Sequence, residues 1–469
     1  MSELRFNNGT EIYYANITKM NPYTLVSNAY NGDGIIADGS ALIPFSRETF
    51  YTERKAISSY RNYTKPIVNS IIEPVFDAPV KRVSNSELFD AFLEDVDNRG
   101  TTMTNNSSDV VTLARLHGVA FVVMDNFRQE EIPATVSEVI DQRKLPYIYT
   151  QAAYTVKDYK TDYFGNIRSI TFTYAEEVID GKKLTVTVTW DSMNMIKEYW
   201  DGDKLYKVET NTHGLGVIPV ISVYSTNRDK VLPMPPFYDL AKLNISLFNK
   251  DSELRDQERA QAFSVFYAQL DTNNGNITIG PHAMMVLPLD PNLTISPGYA
   301  SPASDILKHL MDSSTAFVNS IYQMAGQNGI VGIKSMGSGI AEAYKFRGTN
   351  TQLKKTAGIA EDYEKALADL FSKYTGIPIE YEVSYTQNYD TFYNQMTVDD
   401  VVKLMNLPLP LEVKNEIKKV VVHTYLDNLD NDKQEELDAI IDKENVSLPV
   451  APMTEKPIDE SMNDENESV

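Results

Sequence analysis

Apolar and polar residues alternate with a period of two over residues 146–224. Such alternation puts one face of each strand in a core and the other in water, and the Asp-Gly pairs at 180–181 and 201–202 are typical of tight hairpin turns. The pattern therefore predicts an antiparallel meander, and the continuous apolar run at 119–124 predicts a buried strand. The expected strands of the meander are residues 147–150, 170–174, 184–190 and 196–200.

Elsewhere apolar residues recur at spacings of three, four and seven, which predicts amphipathic helices. The first helix is expected to begin near Ser46 and to end at Pro74. Ser84 and Glu87 have the spacing of a capping box, so a second helix is expected after Ser84. A third helix is expected at about 109–117. Residues 1–46 are polar and rich in turn residues.

A long helix is predicted at 237–263, and its length would be about 40 Å. Its apolar stripe is thin, so we expect it to need neighbours from other elements or other subunits. A short β-type insert at 264–302 and a second helix at 304–324 follow. The C-terminal half of the helix predicted at 237–263 carries six charged residues: Asp251, Glu253, Arg255, Asp256, Glu258 and Arg259.

Glycine-rich residues 326–339 are expected to be irregular, because glycine is costly inside a helix. Another very long helix is predicted at 340–374, with Gly348 and Gly358 interrupting it. The remaining expected elements are strands at 277–281, 284–287, 293–295 and 379–385, helices within 397–445, and a disordered acidic tail at 447–469.

The chain has 469 residues, no cysteine and a formal net charge of −22. Disulfides and thiolate metal sites are therefore excluded, and an intracellular assembly environment fits this composition. A protein that binds DNA through its phosphates is usually basic, so the negative net charge of this chain argues against a repressor, a nuclease or a packaging motor. It is compatible with a channel through which DNA slides without sticking. The sequence has neither a secretion signal nor an apolar stretch long enough to span a membrane.

Motifs for catalysis are incomplete. The five histidines do not have metal-ligand spacing, and the calcium-loop pattern that begins at Asp95 has Asn106 at its twelfth position, where a bidentate glutamate is needed. Residues 329–335 place two residues between glycines where a phosphate loop needs four. Ser338 lacks the surroundings of a nucleophile elbow. We therefore expect no enzyme activity, catalytic residue, metal or cofactor.

Five stretches together resemble portal proteins, the head-tail connectors of tailed double-stranded DNA bacteriophages. These are Tyr-Arg-Asn-Tyr-Thr-Lys-Pro-Ile-Val-Asn-Ser-Ile-Ile-Glu-Pro at 60–74, His-Gly-Leu-Gly-Val-Ile-Pro-Val at 213–220, the helix start at 237–249, Ile-Thr-Ile-Gly-Pro at 277–281, and Ser-Gly-Ile-Ala-Glu-Ala at 338–343. The resemblance covers roughly residues 50–440 and includes the order of the elements. Within it, residues 213–220 correspond to a strand that closes the wing sheet.

The resemblance implies an α+β portal fold with an α/β wing, a two-helix stem, a small β clip, a long kinked helix and a helical crown. The implied divisions are wing at 47–236, first stem helix at 237–263, clip at 264–302, second stem helix at 303–325, tunnel loop at 326–339, long helix and return strand at 340–396, and crown at 397–446. The resemblance does not place the N-terminal segment at 1–46 or the acidic tail at 447–469.

The implied function is a ring of about twelve subunits at one capsid vertex of the virion, through which double-stranded DNA is packaged and ejected. The ring would be assembled in the host cytoplasm, and its implied partners are the terminase large subunit, a head-completion adaptor, the major capsid protein and scaffold, with no membrane. The six charged residues would lie on the stem. The implied tunnel-loop residues are Gly326, Gly329, Gly332, Lys334, Gly337, Ser338 and Gly339, and the implied clip residues are Ile277, Ile279 and Pro281.

Two alternatives remain open at this point. One is another virion structural protein, such as a tail or baseplate subunit. The other is a cytosolic hydrolase with an appended β domain.

Overall fold

The computed structural model describes residues 20–44, 48–127, 135–226, 228–261, 265–269, 284–287, 295–300, 304–325, 339–386 and 389, together with separate residues between 414 and 441. The chain divides into two compact units, Met1–Tyr389 and Asp390–Val469. All the elements below belong to the first unit unless stated otherwise.

The N-terminal part of the first unit consists of short helices. Helix α1, Pro22–Asn31, begins where the Asn21 side chain accepts a hydrogen bond from the Tyr23 amide, and it ends at Gly32 in the left-handed conformation. The single helix expected from Ser46 to Pro74 is wrong, because the chain breaks twice in this stretch. Pro66 lies in the first turn of the helix that begins at Thr64, where the backbone N–H that proline lacks would have no partner within the helix. The pieces are α2, Tyr51–Ile57, α3, Thr64–Asn69, and α4, Glu73–Asp77.

The next helices begin at side-chain caps. Helix α5, Glu87–Glu94, is capped by Ser86 and not by Ser84, since Ser84 belongs to strand β1, Lys81–Ser84. Helix α6 starts earlier than predicted, because the Thr102 hydroxyl accepts from the Asn105 amide. Helix α6 is Met103–His117, and helix α7 is Val136–Asp141.

A three-stranded antiparallel sheet lies at the centre of the unit. Strand β2, Val119–Asp125, pairs with β3, Tyr147–Ala152, on one side and with β10, Val220–Tyr224, on the other. Alternate side chains of β2 enter different clusters: Val122 packs with helices α5 and α6, and Phe121 packs toward the meander. The strand is covered on both faces, which explains its uninterrupted apolar run. Residues 213–220 therefore lead into this sheet and do not close the meander.

The predicted antiparallel meander is confirmed for residues 156–212, but the strand expected in it at 147–150 is wrong, because that segment is β3 of the three-stranded sheet. The strand order of the meander is β4-β5-β7-β8-β9, with β6 paired to β7. The strands are β4, Val156–Thr161, β5, Ile167–Thr173, β6, Glu177–Ile179, β7, Lys182–Trp190, β8, Asn194–Asp201, and β9, Lys204–Thr212.

Three long helices follow in the sequence. Helix α8, Tyr238–Gln261, precedes a small sheet in which β11 lies between β12 and β13. Helix α9, Ser304–Met324, follows it. The strands of the small sheet are β11, Val265–Gln269, β12, Met284–Leu287, and β13, Gly298–Ala300; β12 matches the strand predicted at 284–287, whereas β11 was not predicted.

Helix α10, Gly339–Thr375, continues without a break, so the interruptions expected at Gly348 and Gly358 are wrong. A single glycine costs only about 1 kcal/mol in a helix, and the packing of Leu367 and Phe371 in the central core offsets it. The return strand β14, Tyr381–Ser384, pairs antiparallel with β1. In the second unit, helical residues occur between 414 and 441, where the Asn415 side chain donates to the Ile441 carbonyl over 3.3 Å.

Candidate functional site

The candidate site is the pair of long helices α8 and α9. They run antiparallel, since the Ser314 hydroxyl of α9 donates to Asp251 of α8 over 2.8 Å and the Lys250 ammonium lies 5.0 Å from the centre of the Phe317 ring. Further along the pair, the buried Ile321 packs against Leu247 and its neighbours. The two helices therefore contact each other over several turns, on either side of the small β11–β13 sheet in the sequence.

The first half of α8 is more deeply packed than its sequence pattern indicates. Ala241, Ile245 and Phe248, spaced by four and three, enter a cluster with helices α1 and α3. Leu240 and Leu247, on another face, enter the cluster with α9. The helix thus carries two apolar stripes in this half, and the single thin stripe expected for the whole helix is wrong for residues 238–250.

Asn244 is buried between these stripes and fixes α8 to the preceding segment. Its carbonyl oxygen accepts from the Tyr63 and Thr64 amides at 2.9 and 3.1 Å and from the Tyr60 hydroxyl at 2.9 Å. Its amide nitrogen donates to the Arg61 carbonyl over 2.9 Å. These bonds satisfy buried backbone groups of residues 60–64, which explains why the chain there does not continue a helix.

Arg54 makes the second attachment to α8. Its side chain is fully buried and pairs with Glu48, with the Arg54 Nε 2.6 Å from the carboxylate. It also donates to the Ser252 hydroxyl of α8 over 2.6 Å and to the Ile43 carbonyl over 2.8 Å. A buried guanidinium needs this full set of acceptors, because an unpaired charge in a core is very unfavourable.

The six charged residues predicted on the stem all lie in α8, but their surroundings differ. Asp251 accepts two hydrogen bonds of 2.7 Å from Arg61, and Arg255 donates to the Ile57 carbonyl over 2.8 Å. Burial raises the pKa of the Glu253 carboxyl, while Arg54 and Lys250 oppose that rise. The other three are exposed or half-buried near the end of the helix: Asp256, Glu258 and Arg259.

The long helix α10 is held by a separate polar cluster. Glu364, whose side chain is 1% exposed, accepts from Arg82 of β1 through both carboxylate oxygens at 2.8 Å. Tyr381 and Tyr385 donate to the same carboxylate at 2.5 Å, and Ser107 donates over 2.9 Å. This cluster joins α10, α6 and the β1–β14 ribbon, so it fixes the half of α10 that follows residue 350.

Comparisons with known proteins add three distant structural likenesses. No family model matches the chain, and no curated protein matches it. A chain from a structure titled "Virion of native gene transfer agent (GTA) particle" has a TM-score of 0.40 and 12% identity, covering 92% of this chain and 99% of its own.

The other two come from particle necks. A chain of "Neck of empty GTA particle computed with C6 symmetry" has a TM-score of 0.42 and 11% identity, covering 80% of this chain and 95% of its own. A chain of "Neck of native GTA particle computed with C12 symmetry" has a TM-score of 0.35 and 13% identity, covering 80% and 89%. Since all three scores lie below 0.5, the functional proposal rests on the helical pair and not on these titles.

Several predicted site residues lie outside the described residues. These are the tunnel-loop residues Gly326, Gly329, Gly332, Lys334, Gly337 and Ser338, and the clip residues Ile277, Ile279 and Pro281. Gly339, the last of the expected tunnel loop, is the first residue of α10. Sequence reasoning missed Asn244, Arg54 and Glu364. A polar residue between two apolar helical stripes was a usable signal for Asn244, whereas the partners of Arg54 and Glu364 are distant in sequence.

A serine–histidine contact bears on the hydrolase alternative. The Ser27 hydroxyl lies 2.8 Å from Nε2 of His117, beside a cavity of about 470 Å³. Burial lowers the pKa of His117 to about 4, and its Nδ1 has no hydrogen-bond partner within the described parts of the chain. A catalytic histidine needs an acceptor at that atom to orient it, so this contact does not make a triad.

The described residues form neither a metal site nor a membrane-spanning helix. Within the residues that the structure describes, no group of three or more histidine, aspartate or glutamate side chains is arranged to hold a metal ion. Across the described helices, no stretch combines the length and apolar character that a bilayer crossing requires.

Proposed function

We propose that this chain is a virion structural subunit of portal type, which assembles into a closed ring and surrounds a channel for double-stranded DNA. The observation that carries the proposal is the asymmetry of the α8–α9 pair. One end is fixed in the body of the chain through Asn244 and Arg54, while the other end exposes Glu258 and Arg259 to solvent.

Helix α9 supports the same proposal. Ser314 and Ile321 pack on α8, whereas Met311, one turn before Ser314, is 54% exposed. An exposed methionine that extends the covered stripe of a helix suits a contact with a neighbouring copy. Repeating such a contact by rotation produces a ring.

The negative net charge of the chain fits a channel through which DNA passes without binding tightly. Duplex DNA carries one negative charge per about 1.7 Å, so a basic lining would bind it strongly and slow its passage. With a net charge of −22, the ring would bind DNA weakly. The small β11–β13 sheet would form part of the clip that meets the terminase and the adaptor, and the central and meander sheets would form the wing that faces the capsid.

The mass and shape of the purified full-length chain test this proposal. We expect light scattering to give at least about twelve times the 52.8 kDa of one chain, and negative-stain images to show a cone with a central hole. A single-chain mass at all concentrations would overturn the proposal. Assemblies without a central hole would instead favour the tail or baseplate alternative.

A pair of matched variants locates the contact. Met311→Glu should dissociate the ring without unfolding the chain, because this side chain is exposed in the single copy. Met193→Glu is the control, since Met193 is 46% exposed on the turn between β7 and β8. Equal ring formation by both variants would exclude Met311 from the interface.

A further inference from the structure

The outer edge of the meander is open. Strand β9 is bonded to β8 on one side, and no described strand lies on its other side. All nine of its side chains are exposed. A nine-residue strand is about 30 Å long, so β9 presents a long row of backbone donors and acceptors to solvent.

Strand β9 has a bulge at Tyr206 but few other features that keep edge strands apart. Its sequence, Lys-Leu-Tyr-Lys-Val-Glu-Thr-Asn-Thr, contains neither proline nor glycine. Leu205, Tyr206 and Val208 are 44, 42 and 47% exposed. Lysines usually protect such an edge, but Lys207 here forms an ion pair of 2.6 Å with Glu209, so its charge is balanced on the strand itself.

The two faces of β9 differ. Leu205 lies opposite Trp200 and Val208 lies opposite Glu198 on β8, which places both on the side of the sheet away from the central sheet. Lys207 lies opposite the buried Tyr199, so Lys207 and Glu209 share the other face. Lys207 and Glu209 therefore flank Val208 in the sequence and carry opposite charges.

We propose that β9 pairs with β9 of a second copy of this chain, antiparallel, about a twofold axis at Val208. In that register Lys207 of each copy lies opposite Glu209 of the other, and the two Val208 side chains meet at the axis. The charge order on β9 selects a second copy as the occupant, because the strand is complementary to itself.

This contact goes beyond the proposed ring. A twofold contact uses the same surface on both copies, so it cannot by itself close a ring. It would join two single chains, or two rings face to face. It therefore remains testable whether or not the ring forms.

Charge exchange on the full-length chain tests the proposal. K207E and E209K each place like charges opposite one another on both sides of the axis, so each should weaken β9-dependent pairing by roughly tenfold or more. The double variant K207E/E209K restores opposite charges and should return the affinity to within about threefold of the original. K183E is the control, because Lys183 is an exposed residue of β7 in an ion pair with Glu176.

Mass photometry over a range of concentrations provides one readout, and amide hydrogen exchange of residues 204–212 provides the other. We expect the single variants to halve the mass of the paired species and to speed exchange in β9. Absence of pairing in the unmodified chain, or failure of the double variant to restore it, would overturn the proposal. Protection of β9 only after another virion protein is added would assign the edge to a different partner and overturn it too.

Discussion

The two halves of helix α8 share one helical period but have opposite environments. Residues 238–250 are packed on two faces and fixed by Asn244, whereas the helix beyond Arg255 is largely exposed. Arg54 and Asp251 lie where the two halves meet, each with its charge paired. One half of the helix therefore contributes to stability, whereas the other leaves most of its polar side chains in solvent.

Arg54→Ala should produce the largest loss of stability. The change leaves the carboxylate of Glu48, 10% exposed, without its guanidinium partner, and we expect a loss of about 3–5 kcal/mol in the free energy of unfolding. Urea unfolding followed by tryptophan fluorescence measures it. Glu53→Ala, on an exposed position of the same helix, should change stability by less than about 0.5 kcal/mol. Similar values for both would show that Arg54 does not fix α8.

Leu247→Ala tests the packed half directly. Leu247 is fully buried between α8 and α9, so removing its side chain should cost about 2–5 kcal/mol in the same unfolding experiment. The neighbouring Ser246 is exposed, and Ser246→Ala should have little effect. If the Leu247 variant loses less than about 1 kcal/mol, the first half of α8 is not packed as described.

Asn244→Ala should have a smaller but clear effect. The variant leaves the amides of Tyr63 and Thr64 buried without an acceptor, which costs about 1–3 kcal/mol. Faster hydrogen exchange at these two amides, compared with the Ser246→Ala control, would show that the loss arises at this contact. Unchanged exchange would contradict the role assigned to the Asn244 carbonyl.

Glu258→Lys should leave stability almost unchanged, within about 0.5 kcal/mol, because the side chain is exposed. If this half of α8 lines a channel, the assembled variant should bind duplex DNA more tightly, with a steeper dependence on salt between about 50 and 200 mM. Fluorescence anisotropy measures the affinity. Glu176→Lys changes the net charge equally on the meander, 61% exposed at that side chain, and equal binding by both variants would exclude a special role for α8.

Much of the secondary structure follows from local patterns. Strands β5, β7 and β8 were predicted because side-chain direction alternates along a strand, whereas β4, β6 and β9 were not predicted. Gly181 and Gly202 in the hairpin turns adopt the left-handed conformation, which costs glycine little. The paired helices α8 and α9 were predicted within about two residues of their ends. The division of residues 46–74 into α2, α3 and α4 was not predicted, because it depends on contacts with α8.

The amino-acid sequence by itself determined the order of strands and long helices, the buried character of β2, and the accumulation of charge at the end of α8. Only the tertiary structure decided which charges are used inside the chain. Arg82 and Glu364 are 282 residues apart in the sequence, and Arg54 and Ser252 are 198 apart. Periodicity reports the local direction of a side chain, whereas a buried polar contact depends on which distant segments the folded core brings together.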